Sequence, residues 1–96
     1  MRVRFTPSAR REFLDALDFI RRDSPAAAAG VRARSGEGLS RLREFPESGR
    51  VVPEFPDLPY REVLVSPYRF FYRVVEDTVW IVGVWHDRQL PGPPDA

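Results

Sequence analysis

The sequence predicts an α+β domain in which a helical hairpin covers one face of a small, mainly antiparallel sheet, in the order β-α-α-β-β-β. Three observations predict this fold. A short stretch of alternating polar and apolar residues opens the chain, two proline-led stretches with helical spacing follow, and the last third is rich in β-branched and aromatic residues. The 96 residues have room for a single compact core.

The first strand is expected at residues 2–5, where arginine alternates with apolar side chains. Thr6-Pro7 then begins a helix over 7–22, because threonine accepts a free amide and proline tolerates the first helical position. The apolar stripe of this helix contains Phe13, Leu17 and Ile20. Ser24-Pro25 repeats the same signal, so a second helix starts there and the two helices form a hairpin.

Glycines weaken the second helix. Gly30, Gly36 and Gly38 each cost about 1 kcal/mol relative to alanine. They either permit close packing of this helix or mark a break near residues 35–38. On the first helix, the acidic residues are expected on the outer, solvated face beside arginines; they are Glu12, Asp15 and Asp18.

The second half of the chain changes to strands. Prolines across 46–59 exclude a regular helix there and predict an extended connection over the surface. The strands are expected at Arg61–Val65, Arg69–Val75 and Val79–Trp85, with turns at Ser66-Pro67-Tyr68 and Glu76-Asp77. We expect one domain over residues 1–90 and a disordered tail over residues 91–96.

The register around Glu76-Asp77 decides which side chains lie away from the helices. A two-residue turn pairs Val75 with Thr78 and Arg73 with Trp80, an arrangement that allows a cation–π contact. The same alternation pairs Phe71 with Val82 and Arg69 with Val84. It gives the outer face to Arg69, Phe71, Arg73, Trp80 and His86, and the core face to Phe70, Tyr72, Val74, Val79, Ile81 and Trp85.

The loop at Ser66-Pro67-Tyr68 leaves one alternative open. A three-residue loop would place Arg61 on the outer face beside Arg73, whereas a two-residue loop would place Glu62 there.

Composition excludes several classes of site. The chain has no cysteine and one histidine, His86, so it cannot build a zinc site from the usual ligands, and no metal or cofactor is expected. The net charge of +1 limits any nucleic-acid contact to a local patch. No apolar run approaches the roughly 18 residues of a membrane span, so a soluble protein is expected. The absence of cysteine gives no sign of an oxidising compartment, so a cytoplasmic location is expected.

Several strings together resemble the ParE/RelE superfamily of type II toxins over roughly residues 3–90. They are Phe5-Thr-Pro-x-Ala9, Leu42-x-x-Phe45-Pro46-x-x-Gly49-Arg50-x-x-Pro53-Glu54, Tyr60-Arg61-Glu62, Tyr68-Arg69-x-x-Tyr72-Arg73-Val74 and Val84-x-His86-x-Arg88. The resemblance implies a toxin that forms a hetero-oligomer with a cognate antitoxin, whose C-terminal segment folds over it.

The superfamily contains two mechanisms. A ParE-like toxin binds DNA gyrase, stalls it on cleaved DNA and does no chemistry. The motifs of this sequence resemble that branch more closely. For this role the resemblance and the predicted outer face give a target-binding set of Arg50, Arg61, Arg69, Arg73, Trp80, His86 and Arg88.

The alternative is a RelE-like, ribosome-dependent mRNA endoribonuclease that works without metal. That resemblance implies Arg69 and Arg61 at the phosphate, Glu54 as base and His86 as acid. The chain lacks lysine, and it lacks a tyrosine after Tyr72, both of which that branch commonly uses.

Overall fold

The computed structural model describes residues 1–88, so the tail predicted over 91–96 lies outside the described residues. Its elements, in chain order, are β1 (Arg2–Phe5), α1 (Pro7–Asp23), α2 (Pro25–Ser40), a 3-10 turn (Arg41–Arg43), β2 (Arg50–Val51), β3 (Arg61–Val65), β4 (Tyr68–Val75) and β5 (Thr78–His86). No helix within residues 1–88 is long and apolar enough to cross a membrane.

The strands form one five-stranded sheet in the order β1-β5-β4-β3-β2. β1 pairs with β5 in parallel, and the other pairings are antiparallel. The predicted α+β class is therefore confirmed, with both helices on one face of the sheet. The two-residue strand β2 lies inside the segment that the sequence assigned to an extended connection.

Both predicted helix starts are capped as expected. The Thr6 hydroxyl accepts a hydrogen bond from the Ala9 amide at 3.2 Å, and the Ser24 hydroxyl accepts one from the Ala27 amide at 3.1 Å. α2 runs unbroken through residues 35–38, so the glycines there do not end the helix. A Cβ at Gly38 would lie 3.3 Å from a Val65 methyl group, which shows that glycine permits the close approach of α2 to β3.

The main core lies between the hairpin and the sheet. Its fully buried members include Ala9, Leu42, Phe70, Tyr72, Val79 and Ile81. Phe13 of α1 stacks on Phe5 at 5.6 Å between ring centroids and meets Phe70 edge-on at 5.5 Å. Val74, assigned to the core from the sequence, is 38% exposed because burial along β4 decreases toward the Glu76-Asp77 turn.

The β4–β5 register follows the prediction near the turn and then shifts. Val75 pairs with Thr78 and Arg73 with Trp80, as expected. A β-bulge follows: Tyr72 pairs with Ile81, but Phe71 pairs with Gly83, so Val82 is an extra residue. The pairings predicted for Phe71 with Val82 and for Arg69 with Val84 are therefore wrong; Arg69 lies opposite Trp85.

The bulge reverses the faces of the last residues of β5. Trp85, predicted in the core, packs in an apolar cluster on the face of the sheet away from the helices. Val84 belongs to the helix-side core, and His86 meets the core residue Tyr68 edge-on at 5.5 Å. The assignment of His86 to the outer face with Arg69 is therefore wrong.

Glu12 lies at this bulge and not on the outer helix face. Its carboxylate accepts a hydrogen bond from the Val84 amide at 3.2 Å. The expectation that Glu12 is a solvated partner of neighbouring arginines is wrong, because the irregular backbone after Val82 turns an amide toward α1.

The turn between β3 and β4 settles the open alternative. Val65 pairs with Tyr68, so the loop has two residues, Ser66 and Pro67. Glu62 consequently lies opposite Phe71, on the face that carries Arg69, and Arg61 lies opposite Tyr72.

Candidate target-binding face

We call the side of the sheet away from the helices the second face. Residues 46–60, here called the strap, cross part of it and bury a second apolar cluster. Its buried members are Val52, Phe71 and Val82, and Phe55, Tyr60, Trp80 and Trp85 pack around them. The sequence predicted an exposed face here, but the strap covers part of it and buries this cluster.

Arg69 lies under the middle of the strap, between the carboxylates of Glu54 and Glu62. Its side chain is 7% exposed, and that of Glu62 is completely buried. The Arg69 guanidinium donates to both oxygens of Glu54, at 2.7 and 2.9 Å, and its Nε donates to Glu62 at 2.7 Å. The Arg69 carbon Cζ also lies 5.1 Å from the centre of the Phe71 ring. This arginine joins the strap to the sheet.

The ion pairs shift the ionisation of both partners. Hydrogen bonds from Arg69 lower the pKa of Glu54 to about 2, although partial burial opposes this shift. The same hydrogen bonds raise the pKa of Arg69 above its already high ordinary value. Glu54 is thus a carboxylate at neutral pH, with both oxygens occupied by Arg69.

Arg50 and Arg61 hold the start of the strap. Arg50, whose side chain is 55% exposed, pairs with the buried Glu62. Arg61 donates to the Gly49 carbonyl at 2.9 Å, while the Gly49 amide donates to the Tyr72 hydroxyl, also at 2.9 Å. A Cβ at Gly49 would lie 2.6 Å from Tyr72 and 2.7 Å from the Glu62 carbonyl, so only glycine fits at this position.

Arg73 and Trp80 are paired across the strands as the sequence predicted, and both are half-buried on the second face. The structure adds Arg4, which pairs with Trp80 from the other side through the parallel β1–β5 register. Arg4 could not be assigned to this face from the sequence, because alternation alone does not show which strand an isolated N-terminal strand pairs with.

His86 and Arg88 lie apart from this group. His86 lines a groove of about 550 Å³ between α1 and the end of the sheet, together with Asp15, Phe19 and Tyr68. The Arg88 amide donates to His86 Nδ1 at 3.1 Å, and Arg88 itself is exposed. Within residues 1–88 no three acidic or histidine side chains are grouped so as to hold a metal ion.

The four residues considered for phosphodiester chemistry therefore do not form one constellation. Arg69 and Glu54 bind each other, Arg61 binds the strap backbone, and His86 lies on the helix side of the sheet. Of the target-binding set, the second face unites Arg50, Arg69, Arg73 and Trp80, but only part of it is free to meet another molecule.

Comparison with known proteins agrees with this architecture. Residues 3–91 match the family model for the ParE toxin of the type II toxin-antitoxin system, parDE. The chain is 36% identical over 90 residues to a Sinorhizobium fredii protein named "Putative toxin Y4kP", covering 92% of this chain and 90% of the relative.

A solved structure described as the chromosomal ParDE TA system from P. aeruginosa contains a chain with the same fold. It superimposes with a TM-score of 0.72 at 16% identity, covering 90% of this chain and 95% of the other. Apart from Arg2 at the start of β1, the match over residues 3–91 spans both helices and all five strands, and this chain therefore belongs to the family of ParE toxins of type II toxin–antitoxin systems.

Proposed function

We propose that this toxin acts in the cytoplasm by binding DNA gyrase and stalling it on cleaved DNA, without performing chemistry itself. The observation that carries the proposal is the state of Arg69. A phosphate-binding arginine needs open donors, whereas the Arg69 side chain is only 7% exposed and its guanidinium is already hydrogen-bonded to two carboxylates.

The separation of the remaining candidates supports the same conclusion. General acid–base catalysis requires the acid and base within hydrogen-bond reach of one reacting group. His86 packs on Tyr68 on the helix side of the sheet, while Glu54 belongs to the strap and binds Arg69 on the second face. Neither the bonding of Arg69 nor the separation of His86 from Glu54 favours the ribonuclease alternative, so a binding toxin is preferred.

The mechanism can be tested by inducing the chain in cells and measuring the DNA-damage response and transcript cleavage side by side. We expect induction of the damage response, and loss of supercoiling with accumulation of cleaved DNA when purified gyrase is mixed with the toxin. Rapid cutting of mRNA in translating ribosomes, with gyrase unaffected, would overturn the proposal.

The family implies an antitoxin partner, and we propose that it binds along α1 of the hairpin. The exposed apolar residues on this helix are Phe19, 67% exposed, and Leu14, 48% exposed. Exposed apolar patches of this kind mark sites of protein association. Phe19 also lines the groove that contains His86 and Tyr68, so a partner anchored there would reach the end of the sheet.

The antitoxin site can be tested with Phe19→Asp. We expect this variant to stay toxic but to escape neutralisation when the antitoxin is co-expressed from the neighbouring reading frame. Leu58→Asp is a matched control, because Leu58 is also exposed, at 39%, but lies on the strap. Full neutralisation of Phe19→Asp by the antitoxin would show that the antitoxin does not bind at Phe19.

A further inference from the structure

Three side chains from three strands lie in one row across the second face. Trp80 of β5 pairs with Arg73 of β4 on one side and with Arg4 of β1 on the other. Neighbouring strands are about 4.8 Å apart, so the two arginine backbones lie about 10 Å apart with the indole between them. We call Arg4, Trp80 and Arg73 the arginine–tryptophan row.

The row borders an open groove of about 420 Å³ that contains no acidic side chain. The residues that line this groove are Thr6, Pro7, Arg73, Val75, Trp80 and Val82. Four other grooves described for residues 1–88 each include at least one carboxylate, from Glu12, Asp15, Glu47, Glu54, Glu62 or Asp87.

No salt bridge among residues 1–88 neutralises the charge of the row. Within residues 1–88, neither the Arg4 nor the Arg73 guanidinium forms a salt bridge, in contrast to Arg69. The amino end of α1 opens onto the same groove through Thr6 and Pro7, and the first turn of α1 contains no acidic residue. The helix dipole therefore adds to the positive potential of the row.

The chemistry of this surface fits a single-stranded nucleic acid. Two cations can contact successive phosphates, and an indole between them offers a flat apolar surface on which a base can stack. The net charge of +1 argues against broad duplex binding, which needs a larger basic footprint. A carboxylate-rich peptide would satisfy the arginines but has no planar group for the indole.

We propose that the arginine–tryptophan row binds single-stranded nucleic acid, with Arg4 and Arg73 at phosphates and Trp80 stacked on a base. The inference takes its biological setting from the proposed function, in which the toxin acts at gyrase-cleaved DNA. It concerns a contact made by the toxin itself and not by gyrase.

The test uses the purified full chain and a fluorescein-labelled oligodeoxythymidylate of about 12 nucleotides, within the site sizes of roughly 4–16 nucleotides known for single-strand binders. Fluorescence anisotropy at several salt concentrations gives the affinity and its salt dependence. We expect binding that quenches tryptophan emission and a slope of log K against log salt that falls by roughly 1.4 in Arg4→Gln/Arg73→Gln, about 0.7 per lost phosphate contact.

Trp80→Leu separates stacking from charge. It should weaken binding roughly tenfold, the equivalent of one lost base stack, and leave the salt slope unchanged. Arg32→Gln is the matched control, because Arg32 is an exposed arginine on α2, on the opposite side of the sheet, and its loss should change neither quantity.

The proposal is overturned if the oligonucleotide does not bind, if the double arginine variant keeps the wild-type slope, or if poly-glutamate of similar length competes equally and quenches the indole. The last outcome would assign the row to an acidic protein surface. A supercoiling assay run in parallel keeps the two proposals apart. Gyrase inhibition without oligonucleotide binding would contradict only the proposed nucleic-acid contact of the row. Oligonucleotide binding without gyrase inhibition would contradict only the proposal that gyrase is the target.

Discussion

Replacing Arg69 by methionine is expected to destabilise this domain by about 3–5 kcal/mol, because it leaves the fully buried carboxylate of Glu62 with only the half-exposed Arg50 as a partner. Methionine keeps an unbranched apolar stem and removes the charge, so the variant isolates the ionic contribution. Glu54 loses both of its hydrogen bonds to Arg69, but part of its cost is recovered because its side chain is 34% exposed.

The magnitude follows from burial rather than from the number of ion pairs. Removing one partner of a buried pair leaves an uncompensated charge, whereas exposed pairs contribute about 0–1 kcal/mol. Arg50→Met is the matched control, since Arg50 contacts the same Glu62 carboxylate through a side chain that is 55% exposed. We expect it to cost less than about 1 kcal/mol.

Urea denaturation followed by far-ultraviolet circular dichroism measures the difference, provided that the slope m is unchanged. The double variant Arg69→Met/Glu62→Leu should recover more than about half of the loss, because it also removes the buried carboxylate that Arg69 no longer neutralises. A loss of stability for Arg69→Met no larger than that for Arg50→Met would show that the burial of Arg69 does not set the cost. Loss of toxicity in any Arg69 variant should be interpreted only beside this measurement.

Three further predictions concern the strap and the hairpin turn. The pKa of Glu54 is about 2 in the folded protein and 4.5 ordinarily, so the ionised carboxylate contributes about 1–2 kcal/mol to the free energy of unfolding above pH 4.5. This contribution is lost as the pH falls toward 2. The melting temperature of Glu54→Gln should therefore decline less steeply than that of the wild type over this pH range. Gly49→Ala should cost about 1–3 kcal/mol by overpacking against Tyr72, and an unchanged urea midpoint would contradict the close approach. Glu76 has a positive φ of 55°, which asparagine tolerates better, so Glu76→Asn should raise stability by about 0.5–1 kcal/mol in the same assay, and a decrease would count against turn strain.

The fold was predictable because its signals are local. Capping residues and prolines placed both helix starts correctly, and the Glu76-Asp77 turn fixed the pairing of Arg73 with Trp80. The break considered near residues 35–38 did not occur, because packing against β3 favours glycine within α2. Tertiary contact outweighed helix propensity at that point.

The candidate site was only partly predictable, because its main features are not local. The buried Glu62–Arg69–Glu54 arrangement depends on a two-residue loop that the sequence left open and on a strap that folds back over the sheet. The strap was identified as extended chain, but nothing in its sequence indicates which surface it covers. Arg4 joins Trp80 only through a parallel pairing between the two ends of the described chain.

The displacement of His86 had one signal that could have revealed it. Gly83 interrupts an otherwise β-branched and aromatic strand, and an isolated glycine in a strand often accompanies a bulge. The predicted alternation ran from the turn through Gly83 without a bulge. It therefore assigned Trp85 and His86 to the wrong faces of the sheet.

The extra residue at Val82 also affects how positions should be matched between relatives. In a toxin of this fold with a regular fifth strand, the residue that corresponds to His86 would lie on the opposite face of the sheet, even though the two sequences differ by only one inserted residue. Residues at the end of β5 are better matched between relatives by the hydrogen bond from the Val84 amide to Glu12 than by their distance along the chain. A histidine offset by a single position between two members can thus occupy a different chemical environment altogether.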